Sequence, residues 1–227
     1  MNVNKFGGTF IILGSILGLI NFFGGFILGG SGASGGDNAW VDFALDRMDA
    51  GKYPTLFDSF TGIISQTMLF FGFYILIKHI QKINYNPVAV FGYLLFSIAS
   101  FLYIIYHSIG IGISLVTEMN NPTNILLETI LVTRFSLLIS SFGFALISAS
   151  MIAYSLSKLE NFYKNISFGF SIIFMILGIL GIVIVSAAFD VNNSENNFPV
   201  FIPVFLGILL VQIFSILIGI KIRSINE

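Results

Sequence analysis

Six stretches of this chain, near residues 6–30, 57–80, 87–117, 124–157, 164–189 and 198–222, are apolar on all sides and nearly free of charge. A helix of about 20 such residues crosses roughly 30 Å of hydrocarbon, so each stretch can span a bilayer, the longer ones tilting or emerging from it. Strand-like alternation is absent, which excludes an outer-membrane barrel. The expected fold is an all-α membrane protein, a six-transmembrane-helix bundle forming a single polytopic domain over residues 1–227. Composition points the same way. Of the 227 residues 56% are hydrophobic and 9% charged, whereas a soluble domain is about 25% charged and can cover itself with a water-compatible surface.

The basic residues give the topology. Lys5, Lys78, Lys82, Lys158, Lys164, Lys221 and Arg223 fall on the side shared by both termini. The opposite side holds Arg47 and Lys52 together with Asp37, Asp42, Asp46, Asp49, Asp190 and Glu195. The positive-inside rule then places both termini in the cytoplasm, with the chain in the cell membrane. The head "MNVNK" precedes a long apolar stretch with no A-x-A-like site after it, which reads as an uncleaved membrane helix. Cysteine is absent, so disulfides, thiol catalysis and cysteine-ligated metals are excluded together. A formal net charge of −1 argues against a nucleic-acid partner.

The first outer loop opens with the flexible tether "GGSGASGG" (29–36) and continues into an amphipathic segment over 38–50. There Val41, Ala44, Leu45 and Met48 share one helical face, Asp42, Asp46 and Asp49 the other, and Asp37 or Asn38 supplies an N-cap. Trp40 suits the membrane interface, and the segment is expected to break at Gly51 and Pro54. Asn192-Asn193-Ser194 forms a glycosylation sequon in an outer loop, whereas Asn165-Ile166-Ser167 lies on the cytoplasmic side. Tyr74 and Lys78 close the second span as Tyr154 and Lys158 close the fourth, a faint repeat.

Motifs of catalysis lack their context. "GASGG" (32–36) fits the G-x-S-x-G pattern and resembles the Gly-x-Ser-Gly of rhomboid intramembrane proteases, with His107 and Gly110 echoing their histidine motif. In rhomboids the serine opens a buried helix, but Ser34 leads into Asp37 and a polar segment, and this histidine lies in the third span rather than the last. A linker is the better reading. His79 and His107 are separated by roughly 15–20 Å along the membrane normal, too far to share one haem. No catalytic residue, metal or cofactor is expected.

What remains is an intramembrane charge. In "LETILVTRFSLL" (127–138) Arg134 lies well inside an apolar run, and Glu128 precedes it by six residues, about 9 Å along the helix and about 120° around it. That geometry is poor for a direct pair, and leaves Arg134 to reach Asp58, or Gln66 and nearby carbonyls, and Glu128 to meet Asp58, His107 or water. Counted from the outer ends of their spans, Asn21, Gln66, His107 and Arg134 all lie roughly 13–15 Å deep, one on each of the first four helices. Each continues a small or polar stripe: Gly14, Gly18, Asn21 and Gly25; Ser59, Gly62 and Gln66; Ser100, Tyr103, His107, Gly110 and Ser114; Arg134, Ser141, Ala145 and Ser148. These stripes should face the bundle interior. The layer is either a buried network fixing helix register or the lining of an outward-facing pocket, where a guanidinium favours an anionic head group.

The plan resembles small six-helix integral membrane proteins of bacteria and archaea whose families have no known function. The residues that carry the likeness are "SASMIAYSLSKLENFYKNISFGFSIIFMILGILG" (148–181), with Leu159-Glu160-Asn161 where such families often show Leu-Pro-Arg. The resemblance implies no activity. The functional expectation is a non-enzymatic membrane protein that binds a small or lipidic ligand or serves as a subunit of a membrane complex. Its candidate ligand-binding residues are Arg134, His107, Gln66, Asn21, Tyr103, Glu128 and Asp58. Expected partners are membrane lipids, a second copy or another membrane subunit, and a small anionic ligand. The alternatives are a small-solute transporter or channel with Arg134 on its pathway, and an intramembrane enzyme using Asp58, Glu128 and His107.

Overall fold

The computed structural model describes residues 3–28, 52–116, 124–160, 162–188 and 198–225. Among them, six helices are long and apolar enough to cross a membrane. They are α1 (Val3–Leu28), α2 (Lys52–Ile83), α3 (Pro87–Val116), α4 (Asn124–Leu156), α5 (Lys164–Ala188) and α6 (Phe198–Ser224). Such a multi-pass bundle fits an integral membrane protein. The last four helices begin where their apolar runs begin, but α2 starts ahead of its run and takes in Pro54. Pro54 lies in the first turn of α2, where a missing N–H loses no helical partner. The amphipathic segment 38–50, Ser34 and the sequon at Asn192 lie outside the described residues.

Each helix packs on its neighbours in the chain, and α1 also packs on α6, closing a ring. Neighbours run in opposite directions. Gly7 at the start of α1 lies against Ile75 near the end of α2, while Asn21 near the end of α1 meets Asp58 at the start of α2. Six alternating helices bring both ends of the chain to one end of the bundle, the terminal end.

Hydrocarbon gives helices no hydrophobic reason to associate, so close packing and interhelical hydrogen bonds must hold the ring. Small residues provide both. Ser65 on α2 donates to the Gly14 carbonyl of α1 at 2.8 Å, Ser148 on α4 to the Gly92 carbonyl of α3 at 2.7 Å, and Ser150 on α4 to the Ser171 carbonyl of α5 at 2.7 Å. At the α1–α6 seam the backbones nearly touch: a methyl group on Gly219 would lie 2.9 Å from the Gly8 carbonyl oxygen. Hydroxyls on the outside turn inward on their own helix. Thr67 and Ser108 are exposed and donate to the Ile63 and Ile104 carbonyls, each at 2.8 Å.

The interior is divided along its length. The terminal half is a dry apolar core in which Leu76 and Ile80 of α2, Ile152 and Leu156 of α4, and Ile218 and Ile222 of α6 are fully buried. The α4–α5 turn seals it by folding Leu159 and Phe162 inside, and Tyr163 takes a left-handed φ of 50° as the chain leaves that turn. Asn86 caps α3 by accepting from the Ala89 N–H at 3.2 Å, with Pro87 as its first helical residue. Lysines at this end lie over tyrosine rings: Lys78 over Tyr74 at 5.6 Å, Lys158 over Tyr154 at 4.6 Å and Lys221 over Tyr163 at 5.6 Å. The first two are the repeated pairs of the sequence, each an i, i+4 cation–π contact.

The seam makes a direct forecast. Gly219→Val forces α1 and α6 apart and should destabilise the bundle by about 1–3 kcal/mol, the usual cost of overpacking. Gly169→Ala adds a methyl group where no atom lies within 4 Å, so thermal melting in detergent should separate the two variants, with Gly169→Ala at the parent value.

Candidate functional site

The described residues of the four small-polar stripes turn into the bundle, and beyond the apolar core they meet in the half away from the termini. Asn21 ties three helices together. Its amide donates to the Asp58 carbonyl at 2.6 Å, to Asp58 Oδ1 at 2.8 Å and more weakly to Thr61 Oγ1 at 3.4 Å. Its Oδ1 accepts from the Tyr103 hydroxyl of α3 at 2.7 Å. Asn21 and Asp58 are both about 95% buried, at 5% and 6% exposure, so the amide is what makes a carboxyl tolerable at that depth.

Arg134 has a different set of neighbours from those its sequence suggested. Its Nε donates to the Tyr106 carbonyl at 3.3 Å, and its guanidinium lies over the Tyr106 ring, 4.3 Å from the centroid. Neither Asp58 nor Gln66 is its partner, and among the described residues no carboxylate pairs with it. Nη2 is buried without a hydrogen bond, as is Ser59 Oγ of α2. Both crowd the Cα of Gly110: a methyl group there would lie 2.6 Å from Nη2 and 2.9 Å from Ser59 Oγ. Only glycine leaves that room.

His107 is fully buried between two tyrosines, edge-on to Tyr103 with centroids at 4.5 Å and to Tyr106 at 4.8 Å. Its imidazole presses on Gly62 of α2, whose missing side chain makes the space. Gln66 accepts from Ser100 at 3.3 Å, one helical turn below Gly62. The layer of Asn21, Gln66, His107 and Arg134 is thus not one hydrogen-bonded network. It is an Asn21–Asp58–Tyr103 cluster, an Arg134–Tyr106–Gly110–Ser59 cluster and a Gln66–Ser100 pair, joined through the rings of Tyr103 and His107. Glu128 lies on α4, but its side chain is outside the described residues, so its expected contacts are too.

Beneath Tyr103 the helices enclose a cavity of about 50 Å³. Gln66, Tyr103, Ser141, Ser215 and Gln212 give it polar groups, and Phe73, Phe96 and Phe142 give it apolar walls. Gln212, on α6, was invisible to the depth count because it lies about 21 Å from the start of its helix, below the layer of four. Its signal was present all the same, as the one carboxamide in α6. Tyr106 had no signal, being one aromatic among 26 Phe and 8 Tyr.

Among the described residues no three His, Asp or Glu side chains gather to hold a metal. Asp58 meets Asn21, and His107 lies between the rings of Tyr103 and Tyr106. No protein family, curated protein or solved structure matches the chain.

The Asn21 cluster should be the most sensitive polar group for stability. Asn21→Leu strips Asp58 and Tyr103 of a shared partner and should cost about 1–3 kcal/mol, while Tyr103→Phe removes one hydrogen bond and should cost about 0.5–1.5 kcal/mol. Thermal melting of the two variants, ranked in that order, checks it.

Proposed function

We propose that this chain is a non-enzymatic integral membrane protein that binds a small or lipidic ligand through an anionic group at Arg134. The observation that carries the reading is the state of that side chain: Nη2 is buried with no hydrogen bond, and the guanidinium has one carbonyl and one aromatic ring for company. A guanidinium holds its charge under all ordinary conditions, and removing an ion from water costs several kcal/mol unless an opposite charge meets it. A carboxylate or similar head group seated between Arg134 and Ser59 would supply that charge and satisfy both orphaned groups.

The basic residues of the terminal end support a sidedness. Lys5, Lys78, Lys82, Lys158, Lys164, Lys221 and Arg223 all belong to helix ends or turns there, which by the positive-inside rule is the cytoplasmic side. The Arg134 half then faces outward. The transporter alternative draws on the same polar column, which stops halfway: a solute leaving toward the termini would have to part Phe73 and Phe96, whose rings are 4.9 Å apart.

A ligand anchor and a structural strut respond differently to loss of the charge. Arg134→Leu, purified in detergent, should melt no lower than the parent, because it removes a half-buried guanidinium that no carboxylate meets among the described residues. A series of carboxylates from acetate to decanoate should stabilise the parent but not the variant against thermal melting, by about 2.7 kcal/mol when a ligand reaches a hundred times its Kd. A variant that melts several degrees lower and still responds to carboxylates would remove Arg134 from the site.

A further inference from the structure

The cavity beneath Tyr103 is separate from the Arg134 cluster and asks for a different occupant. Gln212 is buried, at 6% exposure, and its Oε1 meets no donor. Of the four hydroxyls that line the cavity, three cannot turn to it because their hydrogens are already committed, and that of Ser215, one turn along α6, has no such commitment. Ser65 donates to the Gly14 carbonyl at 2.8 Å, Ser141 to the Leu138 carbonyl at 2.8 Å, and Tyr103 to Asn21 Oδ1 at 2.7 Å. Their oxygens therefore present lone pairs to the cavity. Gln66 is the complement: its Oε1 takes the Ser100 hydrogen at 3.3 Å, which leaves its amide hydrogens to give.

An occupant that donates to Gln212 and accepts from Gln66 would answer both carboxamides. It must also be uncharged. No ionisable carboxyl or amine lines the cavity, and Arg134 stands seven residues from Ser141 on α4, about 10 Å along the helix, which opposes a second positive charge. Size and walls narrow the choice further. At roughly 10–15 Å³ for each water-sized position, the space takes three or four heavy atoms. Phe73, Phe96 and Phe142 form its apolar side, where water alone would have no partners but an alkyl group would.

We propose that this cavity binds a small neutral amphiphile of about four heavy atoms, a short amide or alcohol. Its polar end lies between the carboxamides of Gln66 and Gln212, and its alkyl end packs on the phenylalanines. The site does not depend on the Arg134 reading, and the two fail separately.

Saturation-transfer NMR with acetamide, on the full chain in lipid nanodiscs, tests it. Saturation should pass to the acetamide methyl group from the parent and equally from Arg134→Leu. Gln212→Leu removes the orphaned acceptor at nearly constant volume, and Ala99→Leu fills the space. Each should cut the transfer at least about five-fold, the effect of losing one buried hydrogen bond or the cavity itself. Equal transfer from all four proteins would overturn the proposal. So would no transfer from the parent, including the case in which water alone cross-relaxes with the Gln212 amide and the cavity is a structural water site.

Discussion

Hydrocarbon accepts no hydrogen bond and solvates no charge, so a helix bundle in a bilayer can place polar groups only between its helices. Nearly everything inside this ring follows from that constraint. Lipid-facing hydroxyls fold back onto their own backbone, as Thr67 and Ser108 do. Interior serines reach across to a neighbour's carbonyl, as Ser65, Ser148 and Ser150 do, and so pin helix to helix. Among the described residues, the buried charge-bearing and carboxamide side chains Asp58, Asn21 and Gln212 lie outside the apolar terminal core, whose edge Asn4 and Asn86 occupy. The terminal half is filled with Leu, Ile and Phe and sealed by Phe162.

That division gives Arg134 its significance. A charge placed in the apolar core would have no dipole to meet. In the polar half it finds a carbonyl and the negative face of Tyr106, a cation–π contact stronger for being partly desolvated. Those two contacts offset part of the desolvation and leave Nη2 unanswered. Asp58, the obvious counter-ion, is already engaged by Asn21. Glycines at 62 and 110 hold this arrangement open by making room for His107, the guanidinium and Ser59.

Much of the fold was legible because lipid imposes simple rules on sequence. Length and hydropathy marked the six helices, and the i, i+3, i+7 stripes marked their inner faces. The charge count put both termini at one end, and the alternating helices do the same. Legibility failed where a contact depends on rotation and side-chain reach rather than depth. Arg134 meets Tyr106 instead of Asp58 because the aromatic face one helix away is nearer than the carboxyl, and nothing distinguishes one tyrosine from its neighbours in so aromatic a chain. Gln212 escaped because it sits deeper than the layer of four, on a helix that contributes no residue to that layer. Pro54 is a helix breaker by rule but is tolerated in the first turn of α2.

The separation of a dry half from a polar, reachable half can be measured directly, since a chain without cysteine reports any thiol introduced into it. Ser141 lines the cavity of the polar half, and Ser155 is fully buried in the terminal half. With the protein folded in lipid, Ser141→Cys should react with the small neutral reagent methyl methanethiosulfonate, and Ser155→Cys should stay unmodified until the chain is denatured. Equal reactivity at the two positions, or a silent Ser141→Cys beside a reactive Ser155→Cys, would contradict a bundle that is closed at its terminal end and open to ligands in its polar half.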